Sequence, residues 1–345
     1  MWGAEVKMTI KQNCIPLESP KEWRDALNGI KHTFGHTWEN CYAMHLTTGL
    51  NTYLYYFEKD NVRIVCPISE RKHGQYVDIV KPFGFSGFVG NGNCSEFSRY
   101  WKEFVREREY VCGYLGINPI YGDSIYYDKD EIYQYDTIYV LDLTQTIEDL
   151  YANLPKNRKW MLKKWADISS RFVLEKSVLK DFFLETYIDF MRKKDASAFY
   201  FLSKETLAFL LDLDNIILVG AQISGQIVAV SVFNYTPDMG EYMFSISLPE
   251  GRNQSTALVW YGVNHLKSLL IPIINLGGGG GGTADFKRRF GSKELPLKCS
   301  KQIYRPEIYE TLCRQINADP IDKTGFFPAY RKPEFELHNE KVRLG

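Results

Sequence analysis

The sequence predicts a mixed α+β fold: two lobes, each built on a mostly antiparallel central sheet flanked by helices. Three observations predict it. Apolar runs of strand length are joined by very short turns, which make antiparallel hairpins rather than parallel crossovers. Amphipathic stretches of helix length separate those runs. The order of helices, meander, helix and further strand occurs twice along the 345 residues, a length comfortable for two domains. The hairpins argue against a doubly wound parallel sheet.

In the first half, Ser19-Pro20 offers a helix start with Pro in the first turn, and Glu22 to Ile30 follows as a helix. A second helix covers Thr37 to Thr48. Thr52 to Glu58 and Val62 to Ser69 are strands, split by the hairpin signal Lys59-Asp60-Asn61. Val77 to Val80 is a short strand. Glu96 to Arg108 is helical, and Tyr110 to Leu115 and Thr137 to Leu143 are strands.

In the second half, a helix from Ile147 is interrupted at Pro155 and resumes from Asn157 to about Ile168. Arg171 to Glu175 is a strand. Val178 to Lys194 and Lys204 to Leu213 are helices. Ile216 to Ile223, Gln226 to Asn234 and Glu241 to Leu248 form a meander through turns at Ser224-Gly225 and Pro237 to Gly240. A helix (Ser255 to Leu269), a strand (Ile271 to Leu276), a strand (Lys298 to Tyr304) and a helix (Pro306 to Ile316) complete it. The lobes divide as 1–145 and 146–318. The tail, 319–345, carries three prolines and reads as loosely ordered.

Hydrophobic content of 45% and charged content of 24% describe an ordinary globular protein. Aromatics at 15% suit either a core or a cleft for flat or sugar-like ligands. The net charge of +0 gives no global attraction to nucleic acid, so DNA is not an expected partner. The seven cysteines have no metal-ligand or redox spacing and fit free thiols in a reducing compartment. No metal site is expected. No apolar run reaches the roughly 20 residues of a membrane span, and the N-terminus lacks a signal-peptide apolar region, so the expected compartment is the cytoplasm.

The most informative stretch is Leu276 to Gly291, LGGGGGGTADFKRRFG. Glycine loses much backbone entropy on folding, so a run from Gly277 to Gly282 between a strand and an amphipathic turn implies close approach to another group, more than a linker. Phe286 and Phe290, four apart, bury one side of a turn and hold Lys287 near any cleft. A second cluster, Lys156, Arg158, Lys159, Lys163 and Lys164, follows the break at Pro155. It is either a phosphate-binding surface or a solvated helix face.

Three stretches resemble the FemAB-like branch of the GNAT acyltransferase superfamily. Asp78 to Gly87 (DIVKPFGFSG) is similar to that family's D-I-x-x-P-Y-G-Y-x-G loop. Leu154 to Lys164 (LPKNRKWMLKK) is similar to its basic helix, and the glycine stretch to its L-G-G-G followed by F-K-x-x-F. Together they span nearly the whole chain. Phe83 and Phe85 stand where the family has tyrosines. Arg252 to Ala257 (RNQSTA) occupies the turn that binds pyrophosphate in single-lobe GNAT enzymes, without its glycines.

The resemblance implies two GNAT-like lobes and acyl transfer to an amine, by acyl-CoA as donor or by aminoacyl-tRNA, whose users also lack those glycines. The acceptor it implies is a small-molecule, lipid-linked or nucleotide-linked glycan or peptide of the cell envelope. Lys287 corresponds to a family lysine near the donor's reactive end, where an ammonium stabilises an oxyanion or leaving group. Asp285 is the candidate to orient Lys287 or to act as base, with helix capping as its alternative. Phe286, Arg158, Tyr200, Phe83 and Phe85 are substrate-binding candidates. Arg252, Ser255, Gly277, Gly278 and Gly279 are donor-binding candidates. Core packing is the competing role for Tyr200, and the expected one for His36 and His265. Arg288 and Arg289 read as a solvated basic rim. A binding protein that kept this fold and lost the chemistry is the remaining alternative.

Overall fold

The computed structural model describes residues 10–122, 124–166 and 172–332. They form two compact units, 10–134 with 298–332, and 135–297. The first unit opens with β1 (Lys11–Pro16), α1 (Pro20–Leu27) and α2 (Trp38–Thr48). There follow β2 (Asn51–Lys59), β3 (Val62–His73), β4 (Tyr76–Val80), β5 (Val89–Gly90), α3 (Phe97–Glu107) and β6 (Cys112–Ile117). The second begins within β7 (Ile132–Asp142) and continues through α4 (Ile147–Ala152), α5 (Lys156–Ala166), β8 (Phe172–Val173), α6 (Lys176–Lys193) and α7 (Lys204–Asp212). A meander of β9 (Ile216–Ile223), β10 (Gln226–Tyr235) and β11 (Gly240–Ser247) leads to α8 (Ser255–Ser268), β12 (Ile273–Asn275) and α9 (Gly281–Arg288). β13 (Lys293–Ile303) returns the chain to the first unit, which α10 (Pro306–Gln315) joins.

In the first unit the strand order is β1-β2-β3-β4-β6-β13, with β5 on β3. Only the β4–β6 pair is parallel among its described pairs. The β2–β3 turn puts Asp60 (φ 52°) and Asn61 (φ 67°) in the left-handed region, as the hairpin signal demands. The abundant aromatics fill this core. Tyr55, Phe88, Phe97 and Trp101 are buried edge to face, Tyr55 and Trp101 with centroids 4.8 Å apart.

Two expectations change here. β1 was not anticipated, because Lys11-Gln12-Asn13 shows no apolar alternation. The beginning of the tail is not loose: Tyr330 and Arg331 are buried. The Arg331 Nε–Asp78 Oδ2 contact is 2.5 Å, and Tyr330 donates to the same oxygen at 2.9 Å. Residues 333–345 lie outside the described ones. The units also divide the chain elsewhere than 145/146 and 318/319, since 298–332 returns to the first unit.

In the second unit the order is β7-β12-β11-β10-β9-β8. β11 and β12 are parallel but pair only at Gly240–Ile274 and Glu241–Asn275. β12 then ends, whereas β11 runs on to Ser247. The sheet therefore opens beyond Glu241, and the chain leaving β12 enters the glycine run at that opening. α8 covers one sheet face, with Leu258, Val263 and Leu266 in one core with Phe233 and Ile274. Against Phe244 pack Phe183 and Tyr187 of α6.

Candidate active site

The glycine run is held by its neighbours at its start and is free at its end. Gly277 (φ 78°) and Gly279 (φ 128°) are left-handed. A methyl group on Gly278 would lie 2.7 Å from Asp136 Oδ2 and 3.1 Å from the Thr137 carbonyl. The Gly277 N–H donates to Asn275 Oδ1 at 2.8 Å, and the Tyr139 N–H donates to the Gly277 carbonyl at 3.3 Å. By contrast, a methyl on Gly280, Gly281 or Gly282 meets nothing within 4 Å. The close approach expected of the run thus belongs to Gly277, Gly278 and Gly279.

α9 turns back over this bend. Phe286 and Phe290 pack edge to face with centroids 5.3 Å apart, and Phe290 is buried. That anchoring rotates Lys287 inward, to 8% exposure, and its Nζ donates to the carbonyl of Gly278. Burial lowers the Lys287 pKa from 10.5 to about 8; the carboxylate of Asp136 opposes the shift. Tyr200 also feels Asp136: burial, and then that charge, raise its phenol pKa. Its carbonyl accepts a hydrogen bond from the Tyr187 hydroxyl at 2.7 Å, and its ring packs against Phe199. Asp136 is thus a charge that acts on both Lys287 and Tyr200.

Arg158 is at the other side of α9. Its guanidinium lies 4.5 Å from the Phe286 ring centroid and 4.9 Å from that of Phe290. It donates to the Phe286 carbonyl at 3.2 Å and to Thr256 Oγ1. Burial, reinforced by the charge of Arg289, lowers its pKa to about 10. Arg158 is thus an internal clamp joining α5, α8 and α9, set apart from the basic surface it was grouped with. Next to Thr256, Ser255 begins α8 and donates to the Arg252 carbonyl at 3.3 Å; Arg252 itself is exposed.

Asp285 does not face Lys287. It is exposed and pairs with Arg289 at 2.8 Å. Helical residues two apart in sequence lie about 200° apart around the axis, so the anchoring that turns Lys287 inward turns Asp285 out. The carboxylate acting on Lys287 is Asp136, which sequence reasoning missed; its signal was a charge inside a strand otherwise read from Thr137. Asn275, wholly buried in a strand read as apolar, is a second omission, and its Nδ2 has no hydrogen-bond partner among the described residues. Arg288 and Arg289 are exposed, as a rim should be.

Phe83 and Phe85 belong to the first unit, in a loop fixed through its carbonyls. Asn40 Nδ2 donates to Phe83 O at 2.8 Å, and Asn118 Nδ2 to Phe85 O at 3.0 Å. His36, fully buried, keeps a pKa near 3 because burial disfavours its charge. Neutral, it accepts from the Thr33 N–H and donates through Nε2 to Gly87 O at 3.1 Å. The packing role expected of His36 holds. Among the described residues, no group of three or more His, Cys, Asp or Glu is placed to bind a metal.

No family model matches the sequence, and neither does any curated protein. Solved structures do match. FemX superposes with a TM-score of 0.66 at 9% identity, over 87% of this chain and 99% of its own. The chain shares its fold with FemX. The structure of L-PGS from Bacillus licheniformis gives 0.56 at 13% identity, over 94% and 96% of the two chains. The C-terminal domain of a putative lysylphosphatidylglycerol synthetase from Agrobacterium fabrum gives 0.55 at 14%, over 86% and 96%. The mixed α+β architecture expected from the sequence is thus the one found, and it is shared with FemX. No described helix is long and apolar enough to cross a membrane.

Proposed function

We propose that the chain is an N-acyltransferase that moves an acyl group from acyl-CoA to an amine of a cell-envelope or glycan precursor. The observation that carries this reading is the buried Lys287 ammonium on the Gly278 carbonyl, where β11 and β12 part. Attack of a neutral amine on a thioester carbonyl builds negative charge on the carbonyl oxygen, then on the departing sulfur. An ammonium held in a poorly hydrated site stabilises either charge far better than one in water. Exchanging a hydrogen bond to a neutral carbonyl for one to an oxyanion strengthens it in the transition state. Asp136 favours the charged form of Lys287 and is the candidate to accept the amine's proton through water.

Arg252, Ser255 and the start of α8 offer N–H groups and a cation for the donor's phosphates. Gly277 to Gly279 would lie along its reactive end. Tyr200 would border the acceptor. FemX and the lysylphosphatidylglycerol synthetase domain share the fold, and the latter's name describes the joining of an amino acid to a lipid, a related transfer.

A second reading, aminoacyl-tRNA as donor, is favoured by the turn Arg252 to Ala257, which lacks pyrophosphate-binding glycines. Purified chain given acyl-CoA and amine acceptors should release free thiol, whereas the second reading requires deacylation of charged tRNA instead. Release of neither, with Lys287→Ala indistinguishable from the parent, would leave a non-catalytic binding protein.

A further inference from the structure

With Arg158 turned inward, the rest of the basic cluster has one orientation. At about 100° per residue, Lys156, Trp160, Lys163 and Lys164 share an arc of about 100° on α5. All four are exposed, and Trp160 is 65% accessible. The opposite side of the helix carries the buried Arg158 and Leu162. The Lys164 ammonium lies 5.5 Å from the Trp160 ring centroid. The arc contains no carboxylate, and no ion pair engages these lysines among the described residues.

Neither feature favours a helix face in water. An outward indole forgoes burial of a large apolar surface, and neighbouring ammoniums repel one another. Both costs are relieved at the same boundary. In a bilayer interface the indole sits at headgroup depth, lysine stems lie along the acyl boundary, and their charges meet lipid phosphates. We propose that this face of α5 docks the chain on an anionic lipid bilayer. RNA fits the face less well. Polynucleotide affinity grows with the number of phosphates neutralised, and the chain as a whole, this arc included, has a net charge of +0. The inference goes beyond the proposed reaction and stands whichever donor is used.

Sedimentation of the full chain with phosphatidylcholine vesicles, with and without phosphatidylglycerol, tests it. The chain should bind only the anionic vesicles, and salt should release it. A lysine near an anionic surface contributes about five-fold in partition, so replacing Lys163 and Lys164 together with Ala should weaken binding by about 25-fold. Trp160→Ala should weaken it separately. These residues are exposed, so circular dichroism should not change. Equal binding to neutral vesicles, or variants that bind like the parent, would overturn the proposal. So would tRNA binding through these lysines without vesicle binding.

Discussion

The Nζ of Lys287 donates a hydrogen bond to the carbonyl of Gly278, nine residues earlier in the chain. A buried ammonium spending a donor on a neutral carbonyl is a poor contributor to stability. Its pKa of about 8, against 10.5 when free, measures that cost, on the order of 3 kcal/mol at neutral pH. Lys287→Met should therefore leave thermal stability at pH 7 unchanged or raised, while turnover falls by about 100-fold or more. Calorimetry alongside a thiol-release assay checks both. A variant both unstable and active would contradict the assignment.

The pH dependence follows from the same shift. The folded-state pKa is the lower one, so between about 8 and 10.5 the unfolded chain holds more protons on this lysine. Stability from this group therefore rises with pH through that window. A reaction needing the ammonium declines over the same range, starting near pH 8. Asp136→Asn removes the charge that raises the Lys287 pKa, and should move the alkaline limb of kcat/KM to lower pH.

The glycines should divide by position. Gly278→Ala would place a methyl against Asp136 Oδ2 and Thr137 O, costing about 1–3 kcal/mol and disturbing the carbonyl that Lys287 contacts. Gly282 lies in α9 with open space around it, so Gly282→Ala should be neutral or stabilise by up to about 1 kcal/mol. Urea unfolding of the two variants reads the contrast.

Arg158→Lys should not behave conservatively. The guanidinium lies within reach of two rings while bonding the Phe286 carbonyl and Thr256. A lysine cannot reproduce that planar fork. A loss of about 2–3 kcal/mol in denaturant unfolding is expected.

Arg331→Ala tests the ordering of residues 326–332. It strips one of two cations from the fully buried Asp78, which keeps Arg71, so the expected loss is less than the ~3–5 kcal/mol of a buried charge left unpaired. Unfolding of the variant by urea reads that loss.

Much of this was legible in the sequence. The β9–β10–β11 meander reads directly, because Ser224 and Gly225 supply the paired left-handed conformations that a tight hairpin requires. Lys287 was recoverable because flanking phenylalanines fix helix phase. Asp285 was misplaced by proximity in sequence, since residues two apart on a helix do not face one another. Asp136 comes to Lys287 through sheet pairing between β7 and β12, a long-range relation that local pattern does not carry. β1 was hidden for a similar reason: its strand state depends on β2, register partner by partner, rather than on its own residues.

The most direct measurement is the titration of Lys287 itself. In protein carrying carbon-13 at the lysine ε position, one NMR resonance should titrate near pH 8, below the 10.5 of a free lysine, and vanish in Lys287→Met. If the resonance that vanishes in that variant titrated at the free value instead, Lys287 would be an ordinary solvated cation and the account of a desolvated ammonium poised over the glycine bend would be contradicted.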